Sequence, residues 1–278
     1  MQAMIDSSVH LRARDAADMD LYFEQRLAAA YNSGLQRARV LTEPWVANQV
    51  YCPNCGNFPL IRYPNNSQIG DFHCSDCNEN FELKSKQTQF GPRVDDGAYP
   101  AMLRRLGGKA NPNIFLLNYD LNSLTVTNLV IIPKHFVTID MIEKKKPLGP
   151  AARRKGWVGC RILIQAIPHS GRIAIIRNGV VEPKTAVLGK WRHTLFLRKQ
   201  RGLDAKGWLV HVMKCIERIG KSHFTLEEVY SFEDELQSAY PDNRNIRAKI
   251  RQRLQVLRDN GYIDFMGGGT YKLTGATV

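Results

Sequence analysis

The sequence predicts an α/β (α+β) chain in two parts, a domain of strands with flanking helices and an embedded four-cysteine zinc site, followed by a winged helix. Three observations predict it. The β-prone runs NFELKSK, NIFLLNYD, LTVTNLVIIP, RILIQAI and RIAIIRNG alternate with helical periodicity as far as about residue 200. Two C-x-x-C pairs, CPNC and CSDC, sit in a turn-rich segment between Tyr51 and Lys86. Beyond Leu203 the pattern becomes three helices and a hairpin around a triple glycine, the element order of a winged helix. The expected division is 1–202 and 203–278.

In chain order, Met19, Phe23, Leu27, Tyr31, Leu35 and Ala38 fall at helical spacing and predict a long amphipathic helix over 15–40. LTEPWV then offers Thr42 as the N-cap of a second, shorter helix with Pro44 in its first turn. FPLIRY, QIGDFHC and NFELKSK read as short strands around the cysteines. Residues 95–106 look helical, provided that Pro100 lies in the first turn or the helix starts late. The four later apolar runs are buried or half-buried strands. Two basic stretches, EKKKPLGPAARRKGW and KWRHTLFLRKQRG, read as loops facing solvent or phosphate. In the C-terminal part, Leu209, Val212, Met213, Ile216 and Ile219 form one helical stripe, Thr225 and Glu228 form a capping box for a second helix, and the third helix spans about 244–260.

The chain has 278 residues, 44% of them hydrophobic, and carries a formal charge of +13. That excess favours a polyanionic partner, nucleic acid first. No apolar stretch is long enough to span a bilayer, and charges interrupt the N-terminal segment where a signal peptide would be apolar, so a cytoplasmic protein without a membrane partner is expected. In that compartment six cysteines suggest metal binding before disulfides.

Cys52, Cys55, Cys74 and Cys77, with eighteen residues between the pairs, have the arrangement of four thiolates around a tetrahedral zinc. A redox dithiol needs only one pair, and an iron–sulfur cluster is the other rival. Four thiolates leave zinc no open position, so the site is read as structural. Cys160 and Cys215 lie in apolar company and read as buried small hydrophobes. Overlapping the second pair, Asp71 is followed after ten residues by Glu82-Leu83-Lys84. Strand alternation sends Glu82 and Lys84 to one face and Phe81 and Leu83 to the other, and Asp71 on a paired strand can point the same way as Glu82. Two carboxylates there suit a hard cation such as magnesium, and the lysine could orient a water or neutralise developing charge. Taken alone the pattern is weak, because charged residues on an exposed strand edge often produce it.

On the third C-terminal helix, Ile250, Leu254 and Leu257 fall within about 80° of Ile246, and Arg244, Arg247, Arg251 and Arg258 form a separate band of about 60°. This is the helix that a winged helix places in the major groove, so Arg244, Arg247 and Arg251 are candidate DNA contacts, the alternative being a solvated charged face.

Read together, ARVLTEPWV, YCPNCGN, GDFHCSDCNENFELKSK, DDGAY, GPAARRKGWVGC, TLFLRK and IRQRLQVLRD resemble the DpnI-like methyl-directed (type IIM) restriction endonucleases, from about Tyr31 to Leu273. The resemblance implies a PD-(D/E)XK nuclease domain with a four-cysteine zinc site and a C-terminal winged helix. It implies type II, magnesium-dependent cleavage of double-stranded DNA at adenine-methylated GATC, with no small-molecule substrate. Catalytic roles then fall on Asp71, Glu82 and Lys84, with magnesium on Asp71 and Glu82 and zinc on Cys52, Cys55, Cys74 and Cys77. Trp157, in RRKGWVG, matches a tryptophan of that family and is a candidate contact for the adenine methyl, the alternative being a tryptophan that covers the core. Gly70 stands where the motif's name expects proline. The competing functional class is a non-catalytic, zinc-containing winged-helix regulator that binds DNA.

Overall fold

NIFLLNYD carries the unbroken apolar run Ile114-Phe115-Leu116-Leu117, and such a strand is stable only where both of its faces are covered. The computed structural model, which describes residues 19–24, 26, 33–65, 67–108, 111–200 and 202–275, covers both. The elements are α1 (Gly34–Gln49), β1 (Ile61–Arg62), β2 (Phe72–His73), β3 (Asn80–Lys86), β4 (Arg93–Ala98), α2 (Tyr99–Gly107), β5 (Asn113–Asp120), β6 (Thr125–Ile132), β7 (Ile142–Lys144), β8 (Gly159–Leu163), β9 (Ile173–Arg177), β10 (Val180–Val181) and α3 (Lys184–His193). The C-terminal part adds α4 (Leu203–Ile219), β11 (His223–Thr225), α5 (Leu226–Tyr230), α6 (Glu233–Ala239), α7 (Ile246–Asp259), β12 (Ile263–Gly267) and β13 (Thr270–Leu273).

A seven-stranded sheet in the order β1-β2-β3-β5-β6-β9-β10 carries the N-terminal part, with β3 and β5 parallel and the other pairs antiparallel. Along β5 the side chains alternate between two cores. Phe115, Leu117 and Tyr119 join Leu41, Trp45 and Val46 of α1 and Trp191 of α3 on one face, and Ile114 and Leu116 turn to the other. That second face is covered by the small sheet β4-β8-β7, by α2 and by the C-terminal part. Phe81 of β3 belongs to the first core, so Glu82 and Lys84 emerge on the second face.

Two helix expectations are corrected. Residues 19–24 are not helical: Tyr22 bridges Thr125, Phe23 N–H donates to the Leu124 carbonyl and Val126 N–H to that of Leu21. Met19 and Phe23 are buried, so their apolar side chains complete a sheet core instead of a helix face; Leu27 and Tyr31 lie outside the described residues. Among the described residues the α-helix of this stretch is α1, which runs through Pro44. The Thr42 hydroxyl, expected to cap a new helix, donates 2.8 Å back to the Ala38 carbonyl, and the missing N–H of Pro44 leaves the Val40 carbonyl without its helical partner. Pro100 does lie in the first turn of α2, which starts late, after the strand β4.

KWRHTLFLRKQRG is not a solvated loop. It continues α3 into a short 3-10 turn, Leu195–Lys199, because Trp191, Phe196 and Leu197 bury themselves between charged neighbours. Trp191 Nε1 donates 2.8 Å to Asn54 Oδ1, tying α3 to the first cysteine knuckle.

The C-terminal part is a winged helix–turn–helix with a three-stranded wing, β11-β13-β12, in which β11 was not foreseen. Its second helix breaks into α5 and α6 at Ser231–Phe232. The Thr225 capping box is formed from both sides, and Gly267, Gly268 and Gly269 take positive φ in the wing turn, a conformation that costs a glycine little. Its core, including Trp208, Leu209, Met213, Ile250 and Leu257, is continuous with Ile132, Phe136 and Met141 of the N-terminal part. Across the seam the Glu217 carboxylate accepts from the His169 and Ser170 amides and His193 stacks on the Tyr262 ring, while within the winged helix Tyr262 Oη donates to the same carboxylate. Among the described residues no helix is long and apolar enough to cross a membrane.

Candidate active site and metal centre

The four cysteines come together as a cage. All four Sγ atoms lie within 4.8 Å of one another, with Cys52–Cys77 and Cys55–Cys74 each at 3.5 Å. A tetrahedral zinc with bonds of about 2.3 Å separates its sulfurs by about 3.8 Å, so the donor set and spacing fit that ion. Cys52 and Cys74 are fully buried and share the first core with Phe72 and Phe81. Each knuckle turns on its own backbone bond, Gly56 N–H to the Cys52 carbonyl and Asn78 N–H to that of Cys74.

The second knuckle lies in the connection between β2 and β3, and just before β2 the chain leaves the sheet. Phe72 faces Phe81 in register, and Asp71 N–H still reaches the Phe81 carbonyl at 2.8 Å, but beyond that point no strand pairs with β3 on this side among the described residues. Asp71 closes the exposed edge itself, Oδ2 accepting the Leu83 N–H at 2.7 Å. Gly70 has a reason to be glycine: a Cβ there would sit 2.7 Å from the Phe81 carbonyl oxygen. Asp71 itself precedes β2, and its carboxylate lies at the edge of β3, beside the face that carries Glu82 and Lys84.

On that face the charges interlock. Lys84 Nζ donates to Glu82 Oε1 at 2.5 Å and to Asp96 Oδ1 at 2.9 Å, and Arg105 Nη2 donates to Glu82 Oε2 at 2.7 Å. Burial works to discharge Lys84, yet Glu82 and Asp96 prevail and hold it protonated well beyond the ordinary lysine range. Burial likewise works against the Glu82 carboxylate, and Lys84 and Arg105 overcome it and keep its pKa low. Asp71 moves the other way, raised by burial and then by the charges of Glu82 and Glu43, with only the Leu83 N–H and Lys84 opposing. It has no salt bridge among the described residues. Beside Lys84 opens a cleft of about 540 Å³ between α1 and the small sheet, lined by Glu43, Leu83, Lys84, Ser85, Phe90 and Arg161 among others.

Asp96, Arg105 and Glu43 were missed in the sequence. Asp96 comes from the small sheet, where its side chain is 4% exposed, Arg105 from α2 and Glu43 from α1, so no local spacing signals any of them. Cys160, in register with Asp96, is buried and donates to the Gly97 carbonyl, and Cys215 is buried in the winged helix.

The nucleic-acid candidates separate. Ile246, Ile250, Leu254 and Leu257 are buried on α7, and Arg244, Arg247, Arg251 and Arg258 are exposed. Arg247 pairs with Glu233 at 2.7 Å, Arg251 donates to Tyr230 Oη at 2.6 Å, and Arg244 has no side-chain partner among the described residues. Trp157 is half-buried over the Gly159 backbone, with the Arg154 guanidinium 4.5 Å from its ring centre. It stands apart from the cysteine cage, on the connection between β7 and β8.

Family models match the whole of this architecture: that of the DpnI, Dam-replacing family over residues 19–200, and that of the Dam-replacing HTH domain over 204–273. The chain belongs to the DpnI (Dam-replacing) family, a membership that implies a methylation-dependent restriction endonuclease with a DNA-binding winged helix at its C-terminus.

Proposed function

We propose that the protein is a type II PD-(D/E)XK endonuclease that hydrolyses double-stranded DNA at adenine-methylated GATC, with magnesium at Asp71 and Glu82 and a structural zinc in the cysteine cage. The observation that carries the reading is the charged cluster at the open edge of β3. Asp71 is crowded by Glu82 and Glu43 and lacks a cationic partner of its own among the described residues, the condition of a carboxylate that a divalent cation would satisfy. When bound there, magnesium supplies Lewis-acid polarisation of the scissile phosphate and of a water.

The remaining work belongs to the chain. Because Lys84 is held charged, it acts as a donor and not as a general base, aimed at the water or the phosphate while Asp96 anchors it from behind. Arg105, now on Glu82, would be free to take a phosphate oxygen if Glu82 held the cation. The open edge of β3 gives the backbone of a duplex access to these groups. Arg244, Arg247 and Arg251 enter the major groove from α7, and Trp157 offers an aromatic surface to the adenine methyl. The division of labour lies near residue 203, cleavage before it and a second reading of the DNA after it.

Digestion of one plasmid, prepared with and without adenine methylation, in magnesium tests this reading. The methylated form is cut at GATC and the other is not. Asp71→Ala and Lys84→Ala each lower the cleavage rate by at least about a thousandfold with duplex binding retained. Cutting that ignores methylation, or that survives both substitutions, overturns the substrate or the site respectively. Binding without any cutting by the wild type would identify a regulator.

A further inference from the structure

Among the described residues two groups of side chains bring three or more metal-ligating atoms within 4.8 Å of one another. One is the cysteine cage. The other lies in the winged helix and consists of His211, Cys215 and Glu235. His211 and Cys215 stand four residues apart on α4, one turn of helix, and so share a face. Glu235 comes from α6, where its neighbour Leu236 is fully buried and seats that helix on the core. The two groups are separate sites: Cys52 and Cys74 belong to the core of the first sheet face, and Cys215 to the core shared with the winged helix.

We propose that His211, Cys215 and Glu235 form a second metal site, which takes a zinc-class divalent ion on one nitrogen, one sulfur and one oxygen and clips α6 to α4.

The donor set suits that class, since imidazole, thiolate and carboxylate are the three side-chain ligands of zinc. The spacing suits it too. His211 Nε2 and Glu235 Oε1 lie 3.3 Å apart, and a tetrahedral zinc with bonds of about 2.1 Å holds a nitrogen and an oxygen about 3.4 Å apart. Cys215 closes the site from the buried side, while the His211 and Glu235 side chains, 14% and 37% exposed, leave it open to solvent. Three protein ligands leave the fourth position to water. The alternative is a plain ion pair, because Arg218 Nη1 donates to both Glu235 oxygens, at 2.7 and 2.5 Å. That pair does not involve Cys215, and Arg218 is half exposed, with its guanidinium 4.7 Å from the Phe232 ring centre, so it keeps a partner when an ion takes the carboxylate. As the sulfur binds, the Cys215 thiol gives its proton to solvent.

The test uses the full chain with the cage kept filled. Three mixed ligands hold an ion less tightly than four thiolates, so zinc-loaded protein is washed with a mild chelator to one zinc per chain and then titrated with cobalt(II). The wild type is expected to take up one equivalent and to gain a sulfur-to-cobalt charge-transfer band. Cys215→Ala loses the band. His211→Gln and Glu235→Gln each lower the cobalt affinity by at least about a hundredfold, the upper end of what losing a merely supporting residue costs. Excess zinc raises the melting temperature of the wild type and leaves that of His211→Gln where it was. Uptake without a band, a band that survives Cys215→Ala, or no saturable uptake overturns the proposal. Should Cys215→Ala fail to fold by circular dichroism, His211→Gln, whose side chain lies at the rim, decides by the same titration. No DNA is present at any stage, so the outcome is independent of the proposed nuclease chemistry.

Discussion

The cysteine cage and the carboxylate–lysine cluster lie at the two ends of the β2–β3 pair, yet they are built in opposite ways. The cage draws its four ligands from two tight knuckles, each closed by its own backbone bond, with Cys52 and Cys74 buried against an aromatic core and Cys55 exposed at the surface. The charged cluster takes Asp71, Glu82 and Lys84 from neighbouring strands and is held in place by Asp96 and Arg105 from two more distant elements. A soft-metal cage can be specified locally because two residues per turn suffice. A site for hard-cation chemistry needs charges balanced across the tertiary structure, since each buried ion must find its partner.

That contrast can be broken by removing either site. The largest effect is expected at the cage: Cys74→Ser or exhaustive chelation abolishes bound zinc, measured as metal per chain, and unfolds the region around β2 and β3, because structural zinc binding contributes on the order of 10 kcal/mol or more, comparable to the whole stability of a domain. Next is Asp96→Asn, which leaves zinc content and melting nearly unchanged and lowers the turnover rate by about a hundredfold, roughly 2.7 kcal/mol, with little change in KM. Equal losses in melting and rate would reduce Asp96 to a packing residue. Smaller again is the winged helix. Arg244→Ala weakens duplex binding by about 1–3 kcal/mol if it reads a base, and Arg247→Ala less, because Arg247 must first leave Glu233. Filter binding of both variants at one salt concentration ranks them.

The smallest effect concerns pH. His135 is buried and His193 half-buried, and both titrate below the ordinary histidine value of 6.5 because burial disfavours the charged ring. The unfolded chain therefore binds more protons than the folded one in acid, and stability is retained above about pH 6.5 and falls as the pH drops towards the folded values. His193→Gln should flatten part of that fall in denaturant titrations, while Lys84 and the cage remain as they were at neutral pH.

Much of the fold was legible because its signals are periodic. NFELKSK and NIFLLNYD are β3 and β5 residue for residue, and the buried stripe of α7 falls on Ile246, Ile250, Leu254 and Leu257 as the helical angle requires. The failures share a cause. Met19 and Phe23 carry helical spacing but sit in extended chain, and Trp191 and Phe196 are hidden inside a basic run, because in each case a distant surface offered more burial than the local pattern could reveal.

By itself the sequence determined the thiolate spacing, the face shared by Glu82 and Lys84 and the separation of apolar from basic residues on α7, since each depends only on the repeat of a turn, a strand or a helix. Tertiary structure alone decided that Lys84 would be clamped by Asp96, that Arg105 would reach Glu82, and that Lys134 and Arg198 would share Glu79. Electrostatic energy depends on distance in space and on the local exclusion of water, and neither is carried by position along the chain.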